Sequence, residues 1–216
     1  VAVLVTISTT PGVAKTSMTH LNQKHTVAWR QLVNAYFDQV YLPFNPTAGT
    51  SAGLHQYDHQ LEDYSRAGID KQTAALQTYE QKVASFSGTG LDQWDEGDRE
   101  FLLGDIRSQL LTLETIRPWQ KNPDTYSSGI TNSAFTIIER NYAPETTRLA
   151  SLIAREKQMP AALEAARTNL ENPPKIYTQI ALEQLPGEID FFRNDIPKAF
   201  EGVQDAALLA QFHQTN

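Results

Sequence analysis

Trp29-Arg30-Gln31-Leu32-Val33-Asn34-Ala35-Tyr36-Phe37-Asp38-Gln39-Val40 decides the fold class. Its apolar members Trp29, Leu32, Val33, Tyr36, Phe37 and Val40 fall at i, i+3, i+4, i+7, i+8 and i+11. That is one stripe of a 3.6-residue helix, and it does not fit the two-residue alternation of a strand. The stripe predicts a helix from Leu21 to Leu42, stopped by Pro43. Similar spacing recurs downstream. Leu76, Tyr79, Val83 and Phe86 predict a helix that Asp70 caps and that ends in a hinge-like loop, Ser87-Gly88-Thr89-Gly90. Leu103, Ile106, Leu110, Leu113 and Ile116 predict a long helix from about Asp95 to Trp119, with Asp95 or Asp98 suited to its electropositive start. Gly104 inside it costs about 1 kcal/mol against alanine, which implies that another backbone passes close there.

Further along, Ile130, Ala134, Ile137 and Ile138 mark a shorter helix. Pro144 and Pro160 read as first-turn prolines of two more, with Leu149, Leu152 and Ile153 facing the core in one and Leu163, Ala166 and Leu170 in the other. Ile176, Tyr177, Ile180 and Ala181 restore the stripe until Pro186-Gly187, and Phe191 and Phe192 fall in a short turn beyond. A last helix from about Pro197 to Phe212 carries Phe200, Val203 and Ala207. No alternating run bounded by turn signals argues for a sheet, and no pattern recurs at a fixed period. The expected class is all-α: an irregular bundle of about seven to nine helices without significant β-sheet.

Across its 216 residues the chain is 40% hydrophobic and 20% charged, with a formal net charge of −7. The balance between apolar and charged residues predicts a packed core rather than a disordered chain. The acidic charge offers no basic patch for phosphate backbones, so no nucleic-acid partner is expected. Absence of cysteine excludes disulfides, thiolate metal sites and a cysteine nucleophile within this sequence. Residues 1–16 read as the remnant of a secretory signal peptide or as an N-terminal arm, since Val1-Ala2-Val3-Leu4-Val5 is apolar and Gly12-Val13-Ala14 is a small-x-small pattern; a basic leading region is missing. The rest, 17–216, reads as one helical domain. No stretch approaches the roughly 18 apolar residues of a membrane span. A periplasmic or secreted location follows from the signal-like start, with the cytoplasm as the alternative.

The segment Pro46 to Ser65, rich in Gly, Ser, Thr, Asp and His, is the least regular, and it reads as short helical turns joined by loops. His55 and His59 stand at i, i+4, which on a helix would aim both imidazoles from one face at a metal, with Asp58, Glu62 or Asp63 to complete the shell. Against a metallohydrolase stands Gln56, which replaces the glutamate of a His-Glu-x-x-His motif, and none of the five histidines is followed by glutamate. The other reading of these polar side chains is local hydrogen bonding that fixes an irregular segment. Gly49-Thr50-Ser51-Ala52-Gly53 spells the nucleophile-elbow pattern, but no strand precedes it and Pro43 and Pro46 do. Lys15-Thr16 lacks both glycines of a phosphate loop, with Thr9 and Ala14 in their places. The adjacent acidic pairs Glu62-Asp63 and Asp95-Glu96 point apart on a helix and suit capping and solvation better than acid–base work. Trp29, Trp94 and Trp119 read as core or inter-helix anchors.

Gly53-Leu54-His55-Gln56-Tyr57-Asp58-His59-Gln60-Leu61-Glu62-Asp63-Tyr64-Ser65 resembles a block found in the bacterial proteins grouped as domain-of-unknown-function family 885. Asn122-Pro123-Asp124-Thr125-Tyr126, after Trp119, is similar to that family's next landmark. Met159-Pro160, followed by Leu163, Ala166, Asn169-Leu170 and Pro173-Pro174, is similar to the one after. The likeness runs in consistent order from roughly His20 to Pro197. It implies a long, mostly helical and often exported chain, related in fold to zinc metallopeptidases with deep inter-helix clefts. The family's His-Glu metal motif lies in the C-terminal half of the chain, which this sequence does not include, so the resemblance places no catalytic, cofactor-binding or metal-binding residue here. Zinc is expected only in that missing half. What it does imply is a supporting role, with His55, Tyr57, Asp58 and His59 near a cleft.

Three functions follow as expectations. The first is the N-terminal scaffold, lid or cleft wall of an exported metallohydrolase, whose partner is the remainder of its own polypeptide and whose cleft takes a peptide or small-molecule substrate. The second is a stand-alone periplasmic or surface module that binds a peptide or protein. The third is a small metal-binding protein using His55 and His59. A partial chain is expected to expose an apolar face larger than the ~300–600 Å² patch of an ordinary monomer.

Overall fold

Ser65, not Asp70, starts the longest α-helix. In the computed structural model, which describes residues 27–86 and 91–216, its hydroxyl accepts a 3.0 Å hydrogen bond from the Gly68 amide and caps α4 (Arg66–Ser85). Asp70 lies one turn inside that helix and pairs with Arg66 at 2.9 Å. A serine five residues earlier satisfies one of the free amides of the first turn, which leaves the aspartate to an i, i+4 ion pair.

Before α4 come α1 (Val27–Tyr36), a π-helical stretch Phe37–Tyr41, α2 (Leu42–Phe44) and α3 (Pro46–Ser51). The first three run on without a break, so the helical run passes through Pro43 instead of stopping there as the sequence predicted, and it ends at Asn45, where the backbone leaves helical geometry at φ −132° and ψ 60°. A 3-10 turn, His55–Tyr57, and an irregular stretch lead to α4. The expected glycine hinge at 87–90, the signal-like start and the first residues of the Leu21–Leu42 helix lie outside the described residues.

Asp92 caps α5 (Gln93–Leu110), its carboxylate accepting from the amides of Trp94 and Asp95 at 2.8 and 2.9 Å. A π-helical stretch, Leu111–Ile116, extends it, and Arg117 then turns the chain in the left-handed region at φ 52° before α6 (Pro118–Lys121). Gly104 faces solvent with nothing within 4 Å of where a Cβ would sit, so no backbone approaches it, contrary to the sequence reading. Ile116 and Trp94, expected in the core, are exposed, whereas Trp29 and Trp119 are buried.

The second half comprises α7 (Asp124–Ile138), α8 (Glu145–Glu156), α9 (Met159–Asn169), α10 (Lys175–Asp190), α11 (Ile196–Ala199) and α12 (Ala206–Thr215). Pro144 caps α8 from outside its first turn, and Pro160 sits within the first turn of α9 as expected. The helix predicted to end at Pro186-Gly187 runs through both, and a π-helical stretch, Phe191–Asp195, joins it to α11. Packing of α10 and the phenylalanines beyond it against α7 and its neighbours outweighs the cost of a mid-helix proline, about 3 kcal/mol. The predicted Pro197–Phe212 helix is broken between Phe200 and Asp205, and Phe200 and Val203 are buried from that break rather than from a helix.

The architecture is all-α, with no strand among the described residues. Two apolar clusters hold it. One joins α1, α4 and α5 through Trp29, Tyr36, Leu76, Val83 and Ile106. The other joins α7, α8, α9, α11 and α12 through Ile137, Leu149, Leu152, Ile196 and Phe212. The irregular 46–65 segment lies at their junction, where α3 packs on both α2 and α7.

Candidate functional site

Amphipathic logic puts apolar residues on the buried face of α8, yet Arg148, Arg155 and Glu156 are buried beside Leu149, Leu152 and Ile153. Arg155 is 0% exposed. One terminal nitrogen donates to the Ser133 carbonyl and to the Thr136 hydroxyl, the latter at 3.0 Å. The other donates to the Thr50 hydroxyl at 2.6 Å and to the Tyr57 carbonyl at 3.3 Å. A single guanidinium therefore ties α8 to α7, to α3 and to the 3-10 turn. Its Nε is buried without a partner. Burial lowers the guanidinium's pKa, and the negative charges of Glu62 and Asp58 raise it back in part.

Around this anchor the segment is closely fitted. Glu62 accepts from the Thr47 amide at 3.0 Å and its hydroxyl at 2.8 Å, which caps α3. Asp63 accepts from the Ser65 amide at 3.0 Å. Glu62 thus caps one helix, and Asp63 braces the serine that caps the next. Gly49 leaves room for Tyr57: a Cβ there would meet Cδ2 of the tyrosine ring at 2.8 Å. Ser51, the would-be nucleophile, is exposed at the end of α3, and its carbonyl accepts from Arg140 at 3.4 Å.

His55 and His59 do not share a helix face, because the chain makes a single 3-10 turn there and leaves it at Asp58. His55 Nδ1 lies 3.1 Å from Oδ2 of the buried Asp58, and its ring stacks on Tyr142 at 4.0 Å and 8°. The Tyr142 hydroxyl is shut away from water and makes no well-formed hydrogen bond, although Asp58 is near enough to act on it. Burial first, then Asp58, raises its pKa. His59 instead lines a shallow 540 Å³ hollow with Thr146, Thr147, Ser151 and Asp205. The paired-imidazole zinc site read from the spacing does not form, because His55 stacks on Tyr142 while His59 faces the hollow beside Thr146 and Asp205. Among the described residues no three metal-binding side chains gather. The cluster holds a surface segment in one shape and presents a partly exposed His-Asp pair.

Of the four residues singled out from sequence, His55 and Asp58 come together, the Tyr57 ring lies against Gly49, and His59 stands apart. Arg155, Tyr142 and Glu156 escaped notice because none belongs to a motif. Arg155 had one signal: Arg148, Leu152 and Arg155 share the i, i+4, i+7 row of a buried helix face.

Residues 46–216 match the model of a family described as "Bacterial protein of unknown function (DUF885)". Among solved structures, the chain is similar to one described as a "putative lipoprotein of unknown function" from Shewanella oneidensis, with a TM-score of 0.75 and 28% identity. That match covers 88% of this chain and 34% of the other, so the chain spans about a third of the length of that relative. No curated relative matches it. Among the described residues no helix is long and apolar enough to cross a membrane.

Proposed function

Because this chain belongs to the DUF885 family of bacterial proteins, we propose that it is the helical N-terminal portion of a longer exported hydrolase of the zinc-peptidase kind. In this reading it forms one wall of an inter-helix cleft, supplies no catalytic residue, and leaves zinc to the polypeptide beyond residue 216. The observation that carries the reading is the Arg155 cluster. Its donors go to carbonyls and hydroxyls of three neighbouring elements, which pins the irregular segment to the helices behind it, as a scaffold requires. The length of the solved relative and its description as a lipoprotein are in keeping with a larger, exported protein.

A second reading, a stand-alone periplasmic or surface module that binds a peptide or protein, draws on the two closed apolar clusters. Both are tested on the natural gene product by intact mass, zinc content and peptide hydrolysis. The first reading expects a product longer than 216 residues that holds one equivalent of zinc and cleaves peptides, with zinc retained after His55→Ala. A product ending at Asn216, or zinc lost on that substitution, overturns it; a product ending there that unfolds cooperatively turns the question to the binding module.

A further inference from the structure

We propose that the trough between α9 and α10 is the seat of an amphipathic helix from the polypeptide that follows residue 216; this rests on the reading above that the chain is part of a longer one. Both helices pack closely on α7 rather than on each other, so α7 forms a floor and α9 and α10 the walls. Two hollows of 340 and 320 Å³ lie along this trough and meet at Leu163 and Leu185. Tyr126 and Ile130 of α7 line the floor.

The walls are unusually apolar for a surface. Leu163 is 51% exposed, Leu182 63%, Leu185 38% and Ile189 40%. Single exposed leucines are ordinary, but a contiguous row along a trough marks an interaction face. The α10 residues stand at i, i+3 and i+7, a ridge that interleaves with the apolar stripe of another helix. No strand edge is available among the described residues, so an extended peptide would find no backbone ladder to join.

The occupant is argued from length and position. About two thirds of the solved relative lies outside its match to this chain. Asn216 itself lines the hollow formed by Leu163, Leu185 and Ile189, so a chain running on from there begins in the trough.

The test uses the full-length gene product carrying Leu182→Cys, with Lys71→Cys on the exposed face of α4 as reference; no native cysteine occurs in residues 1–216. Maleimide labelling is read at each site by peptide mass. At least tenfold slower labelling at position 182 than at 71, unchanged on dilution, is the expected result, and Ile189→Cys repeats it on the same wall. Equal rates overturn the proposal, as does protection that disappears on dilution, which assigns the trough to a second copy. Neither readout depends on zinc or hydrolysis, so a failure here is distinct from a failure of the functional reading.

Discussion

Arg155 has four acceptors on three elements and is shut off from bulk solvent, which makes its substitution costly. Lysine keeps the charge but presents a point ammonium with no planar fork, so it cannot reach the α7 and α3 partners together. Arg155→Lys is expected to cost about 2–4 kcal/mol in urea unfolding, because buried carbonyls and hydroxyls are left without donors. Arg155→Met keeps the volume yet strands the same acceptors, and is expected to cost at least as much. A loss below about 1 kcal/mol for both would mean that water replaces the guanidinium without penalty. This residue also marks where reading the sequence stopped short. Glycines, histidines and carboxylates in 46–65 announced an irregular segment, but its anchor lies about a hundred residues away on a helix whose apolar neighbours mask it. Long-range polar pairing of this kind leaves no local pattern.

Helical stripes were legible where burial follows the 3.6-residue period without interruption, as at Trp29, Tyr36 and Val40 or at Leu149, Leu152 and Ile153. Boundaries were not, because Ser65 competes with Asp70 for the same cap and tertiary packing carries α10 through Pro186. Gly104 gives the simplest test at this scale. With open space around it, Gly104→Ala is expected to stabilise α5 by about 0.5–1 kcal/mol, read as a higher thermal midpoint; a destabilised variant would restore the close approach that the sequence suggested. The docking of α12 on α8 depends on pH for a different reason. Burial pushes the Glu156 carboxyl up from its ordinary 4.5 to about 7, with the Thr215 hydroxyl, 2.5 Å away, pulling it partly back. The folded state therefore holds a proton that the unfolded state has lost, and stability is greatest below pH 4.5 for this group and falls as pH rises towards 7. At about 1.4 kcal/mol per pH unit the loss is about 3 kcal/mol. Glu156→Gln is expected to flatten that part of the stability–pH curve; an unchanged slope would show that other groups set it.

Two apolar clusters joined by a polar segment raise the question of whether the molecule unfolds as one. The N-terminal cluster is built from α1, α4 and α5, and the C-terminal one from α7 to α9, α11 and α12. Between them stand α3, the 3-10 turn and α6, held by hydrogen bonds such as Arg155 to Thr50 and Asn169 to the Tyr64 carbonyl at 2.8 Å. Hydrogen bonds at a junction contribute about 0.5–1.5 kcal/mol each, whereas a buried leucine cut to alanine costs about 2–5 kcal/mol within its own cluster. The junction is held mainly by such polar contacts where both cores are apolar, and local opening is expected to respect the division. Leu149→Ala is expected to speed amide exchange in α7, α8 and α12 while leaving α1, α4 and α5 near their original protection, and Leu76→Ala to do the reverse. Uniform loss of protection from either substitution would make the Arg155 junction as strong as the cores, and the 46–65 segment would then be part of a single cooperative unit rather than a fitted seam between two.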